Sequence, residues 1–126
     1  MCGKNVIFTG ANKACCPQAT LLVDEFCNNF DNAIFVTNPP FFGISLWFEF
    51  SNQRGTFTLT NNADSTGIAA FTFLDANGDV VATFFVTQGD SLTVSLSGVS
   101  SLFVAAFAPE TTVSGTVCAK IFRKFF

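Results

Sequence analysis

The sequence predicts an all-β fold: an eight-stranded jelly-roll sandwich over residues 18–126, behind a flexible N-terminal connector, residues 1–17. Helical periodicity is almost absent. β-branched and phenylalanine-rich runs instead alternate with turn signals about every ten residues. A chain of 126 residues suits one domain with one core. Short antiparallel strands in that number fit a two-sheet sandwich, of which the jelly roll is a common eight-stranded form.

The elements follow in order. Pro17 separates the Gly-, Asn-, Lys- and Ala-containing leader from a first strand at 18–29. Asn38-Pro39-Pro40 blocks continuation, because proline lacks the ladder donor and restricts the residue before it. Strands at 42–50 and 55–61 are divided at Arg54-Gly55, and Asn61-Asn62 with Ser65-Thr66-Gly67 lead into 68–74. Asn77-Gly78 predicts a type I′ hairpin into 80–87, since that turn needs positive φ at both central residues. Gln88-Gly89-Asp90 and Ser97-Gly98 bound 91–97, and strands at 100–107 and 113–125 complete the set.

Alternation orients several strands. In TFTLT, Phe57 and Leu59 face one way and the threonines the other; in SLTVSLS, Leu92, Val94 and Leu96 point inward and the hydroxyl residues outward. VATFFV and LFVAAF are nearly continuous apolar runs, expected to be covered on both faces, by core and by another subunit. Phenylalanine occurs eighteen times, charged residues make up 12% and mean hydropathy is +0.46. A small domain buries only about 60–70% of its unfolded surface. The surplus of apolar side chains therefore points to subunit contacts.

Charge and motifs exclude several function classes. Net charge is −3, and the one basic cluster, Lys120, Arg123 and Lys124, is no basic stripe, so nucleic acid is not an expected partner. No apolar run reaches the ~18 residues of a membrane span. Val6-Ile7-Phe8 falls short of the ~7–15 apolar residues of a signal peptide. With no histidine and no Cys-x-x-Cys, neither a zinc site nor an activated catalytic thiol is expected. Asp75, Asn77 and Asp79 have calcium-loop spacing, but Val80 and Val86 stand where Gly and Glu are needed, so the hairpin reading prevails. Asp24-Glu25 are strand neighbours on opposite faces and cannot share a substrate. No cofactor, metal or enzymatic activity is expected.

The cysteines are the candidate functional residues. Cys2, Cys15, Cys16 and Cys27 crowd into the first quarter, and Cys118 stands alone near the end. Five thiols cannot all pair within one chain. Neighbours in an extended chain point to opposite sides, so Cys15 and Cys16 can bond to two partners, whereas a bond between them strains the peptide. Cys27, placed at the end of the first strand, and Cys118, inside the last, are two acceptors. They can equally bond to each other, because the first and last strands of a jelly roll are neighbours. Cys2 is left over as an extra crosslinking candidate. An extended chain from Cys2 to Gln18 reaches about 50 Å, well beyond its own domain.

Cys15-Cys16, then PQATLLVDEF, then Cys27, with VCAKIFRKFF around Cys118, resembles the bacterial endospore appendage family, the pilus-like fibres of spores. VATFFVTQGDSLTVSLSGVSSLFV is similar to that family's later strands and turns, and Cys2 and Lys13-Ala14 depart from its pattern. The resemblance implies a self-assembling structural subunit of a homopolymeric helical fibre, made during sporulation in the mother cell without a signal peptide and displayed at the spore surface. It implies disulfides between subunits, the connector's Cys15 and Cys16 meeting Cys27 and Cys118 of other copies. Exosporium or coat proteins are further candidate partners. The alternative from the residues alone is a monomeric jelly-roll module binding carbohydrate or protein. One Trp and no Tyr give it little sugar-stacking surface.

Overall fold

A computed structural model describes residues 20–36 and 43–125. Six strands form one antiparallel sheet: β1 Thr20–Ile34, β2 Ile44–Asn61, β3 Ala69–Leu74, β4 Val80–Val86, β5 Ser91–Ala106 and β6 Thr112–Phe125. Their order is β1-β6-β2-β5-β3-β4, and no helix occurs among the described residues. The all-β expectation holds, but the expected breaks at Arg54-Gly55 and Ser97-Gly98 do not end strands. Residues 44–61 and 91–106 each run on as one strand.

Those two long strands bend instead of stopping. Phe48 pairs with Ser101, whereas the next β2 pairing, Gln53, meets Val99, so β2 spends more residues than β5 on the turn of the sheet. Gly98, at φ 72°, supplies the matching kink in β5, a conformation costly for side-chain-bearing residues. Ten residues of straight strand would separate Trp47 from Phe57 by about 33 Å. Their ring centroids are 5.4 Å apart. The sheet is therefore folded over at 48–53 and 97–101, bringing β2's two halves face to face.

The core lies inside that fold. Phe57 packs on Trp47 and, at 4.8 Å, on Phe73, while Phe30 meets Phe71 edge-on at 5.7 Å. Leu59, Leu102, Val104, Val117 and Ile121 fill the space between and have no exposed surface. The bend carries a polar tie. Arg123 of β6 pairs with Asp24 of β1 and with Glu49 at the bend, and Glu49 also accepts from the Trp47 indole at 3.2 Å. The hydrogen bond to Glu49, then that to Asp24, raises the Arg123 pKa against a smaller opposing effect of burial, so the guanidinium stays charged.

Three local expectations need correction. Cys27 lies in the interior of β1, not at its end, because the strand continues past a bulge at 31–32. Asn32 takes φ 53° there, and its backbone N–H donates to Ser114 Oγ at 3.0 Å. The β3–β4 hairpin exists, but only Gly78 has positive φ, so its turn is not type I′. Asp75 Oδ1 accepts from the N–H of both Asn77 and Asp79 at 2.9 Å, and Gly78 N–H closes on Asp75 O. That side-chain cap favours a type I turn followed by a left-handed glycine. Finally, β5 over 102–106 is buried on both faces, apart from half-buried Phe103, within the single chain and without another subunit, while Phe107 is exposed. In β4, Phe84 and Val86 pack on the core, and Val81 and Phe85 are exposed on the other face.

Candidate functional site

The antiparallel register places a regular grid on the outer face of one half of the sheet. Glu25, Lys120, Thr56 and Ser95 form one row across β1, β6, β2 and β5. Cys27, Cys118, Thr58 and Thr93 form the next, and Asn29, Thr116, Thr60 and Ser91 the one after. The outward hydroxyls pair across strands: Thr56 with Ser95 at 2.9 Å, Thr58 with Thr93 at 3.1 Å and Thr60 with Ser91 at 2.8 Å. Thr116 Oγ1 donates to Asn29 Oδ1 at 2.8 Å. Such cross-strand pairs stabilise the sheet modestly each and leave the face wettable.

Within this face, Cys27 and Cys118 form a disulfide inside the chain, their Cα atoms 4.0 Å apart across 91 residues of sequence. Direct opposition in the β1–β6 ladder brings them together. Cys27 is exposed on the sheet's edge strand, and Cys118, flanked by β1 and β2, is half-buried. A shallow groove of about 720 Å³ passes over the pair, lined also by Thr56, Thr58, Lys120 and Phe122. At one end of this face Arg54 lies over the Phe122 ring, 5.5 Å from its centroid. A covalent bond, hydroxyls and a lysine therefore share one accessible surface.

Sequence reasoning singled out Cys27 and Cys118, and the structure brings them together by one of the two pairings it left open. Cys2, Cys15 and Cys16 lie outside the described residues. The groove-lining Thr56, Thr58 and Thr93 were not singled out as site residues, although the alternation in TFTLT and SLTVSLS points them outward. Placing them beside the disulfide required the strand order, which pairs β2 with β6. Among the described residues no three His, Cys, Asp or Glu side chains gather to hold a metal ion, and no helix is long and apolar enough to cross a membrane.

Fold and site together define an all-β, disulfide-bearing subunit. A family model for the endospore appendages (Enas) matches residues 13–125, and the chain belongs to that family. Its fold is similar to a solved structure described as "Bacillus endospore appendages form a novel family of disulfide-linked pili", with TM-score 0.68 and 17% identity over 92% of this chain and 100% of that one. No curated protein matches the chain.

Proposed function

We propose that the chain is a self-assembling structural subunit of a disulfide-crosslinked helical fibre at the spore surface, and not an enzyme. The observation that carries this reading is the Cys27–Cys118 pair on an open face of the sheet, with Cys27 exposed on the edge strand. The family match also extends upstream across Cys15-Cys16, two of the three remaining cysteines and the ones available within it to join copies. Residues 1–17 would serve as the connector and 18–126 as the body. In the finished fibre Cys15 and Cys16 of one copy would be bonded to Cys27 and Cys118 of others.

The folded sheet is best read as a jelly roll. Its bends divide the ladders into two groups of four segments: β1, β6, 54–61 and 91–97 in one, and 44–48, 99–106, β3 and β4 in the other. Exposed Phe48, Phe50, Phe85 and Phe107 supply apolar area for contacts between copies.

Boiling purified fibres in detergent without reductant should leave covalent ladders that collapse to one band when reductant is added. A single monomer band before reduction would remove the crosslinked-fibre reading. Electron microscopy separates it from a monomeric binding module: ordered filaments are expected, and dispersed particles would favour the module.

A further inference from the structure

The Cys27–Cys118 bond occupies both sulfurs that the fibre reading assigns to other copies, and the two arrangements cannot coexist. We propose, building on the fibre reading, that this internal disulfide is the electrophile of assembly. A connector thiolate, Cys15 or Cys16 of a second copy, opens it by thiol–disulfide exchange. The attacking sulfur forms a bond to Cys27 Sγ as the Cys27–Cys118 bond breaks. Its electron pair leaves on Cys118 Sγ, which takes up the proton the attacking thiol gave up. One disulfide is consumed and one is formed, so the first intersubunit bond needs no external oxidant. A second bond, joining the other connector thiol to the released Cys118, would need a two-electron acceptor such as dioxygen.

Exposure sets the direction. Cys27 is the more exposed residue, on the edge strand, while Cys118 is half-buried between strands. The approach is open, because the groove of about 720 Å³ runs over the pair. Opening the bond need not unfold the domain. The β1–β6 ladder extends from Thr20↔Phe125 to Ile34↔Thr112 and holds the two strands independently.

The doublet suits a donor that keeps its product. A bond between adjacent cysteines strains the intervening peptide, so the second thiol does not readily displace the first. The released Cys118 can reclose the internal bond, however. The mixed disulfide therefore accumulates where docking raises the connector's local concentration, that is, in the assembly.

The test uses two full-length chains, both with Cys2→Ser. The donor carries Cys27→Ser/Cys118→Ser with a reduced doublet; the acceptor carries Cys15→Ala/Cys16→Ala with its internal disulfide intact. They are mixed under argon with a chelator, quenched with N-ethylmaleimide, run without reductant and mapped by mass spectrometry. The expected product is a donor–acceptor adduct bonded at Cys27, with one alkylated thiol newly present at Cys118 and the total thiol count unchanged. An acceptor that also carries Cys118→Ser should give no adduct under argon. Adduct only after oxygen is admitted would overturn the exchange and leave the fibre reading standing. An adduct formed equally well under argon by the Cys118→Ser acceptor, or one bonded at Cys118, would also overturn it. Absence of adduct under both atmospheres would count against the intersubunit disulfides themselves.

Discussion

The two halves of the folded sheet share one core but present opposite outer faces. Over β1, β6, 54–61 and 91–97 the outward positions around the disulfide are mainly Thr, Ser, Asn, Glu and Lys, with Phe122 and Arg54 at one end, and the hydroxyls hydrogen-bond across strands. Over β3 and 99–106 the outward positions Ala70, Thr72, Leu74, Ser101 and Ala105 are buried although they point away from the core. Beside them Phe85 and Phe107 meet edge-on at 4.8 Å while each stays about half exposed. One face keeps a reactive bond in contact with water. The other is built like an interior, with outward side chains that are nevertheless removed from water.

The largest expected effect tests that contrast directly. Ala105→Asp places a carboxylate at a fully buried outward position. It should cost about 4 kcal/mol or prevent folding, because an unpaired charge cannot be hydrated there. Thr58→Asp, on the hydroxyl face, should cost less than about 1 kcal/mol. Urea midpoints of the two variants check the pair, and equal losses would show that the faces do not differ as described. If Ala105→Asp yields no soluble protein, Ala105→Ser should still lose more stability than Thr58→Ser.

The disulfide comes next. It closes 91 residues of chain, so Cys27→Ser/Cys118→Ser should lower unfolding stability by about 3–4 kcal/mol, chiefly by freeing the unfolded chain. The same variant should keep its β-sheet circular dichroism, since the ladder between β1 and β6 does not depend on the bond. Loss of the sheet signal would mean that the disulfide, and not strand pairing, holds this face together.

The smallest effect concerns the bend that joins the halves. Arg123→Met should cost about 1 kcal/mol, as expected for a partly exposed ion-pair network. Because the folded Arg123 pKa is raised, its contribution is complete below the unfolded value and is lost only as pH rises through the folded one. The stability difference between wild type and variant should therefore not decline between pH 7 and 9 through loss of charge on Arg123. A decline across that range, measured by urea titration, would assign the tie to another group.

Much of this was legible in the sequence because strand alternation is a local property. TFTLT announced which side chains face water, and SLTVSLS did so except at exposed Leu92. LFVAAF announced a segment whose residues 102–106 are covered on both sides, though by the chain itself and not by another subunit. VATFFV lies on an edge strand with Phe84 and Val86 on the core and Val81 and Phe85 exposed on the other face, the face the sequence assigned to another copy. The type of the β3–β4 turn was missed. Asn-Gly favours one geometry, but the Asp75 carboxylate two residues before Asn77 selects another.

Composition and alternation by themselves determined an all-β chain, its hydroxyl-bearing strands and its uneven set of cysteines. Tertiary structure decided that 44–61 and 91–106 stay continuous and fold the sheet upon itself. It also decided that Cys27 and Cys118 stand directly opposed in a wettable row. The physical reason is that side-chain direction repeats along each strand and needs only neighbouring residues. Which residue meets which across strands depends on hydrogen-bond register and bends, and those involve residues as distant as Cys27 and Cys118.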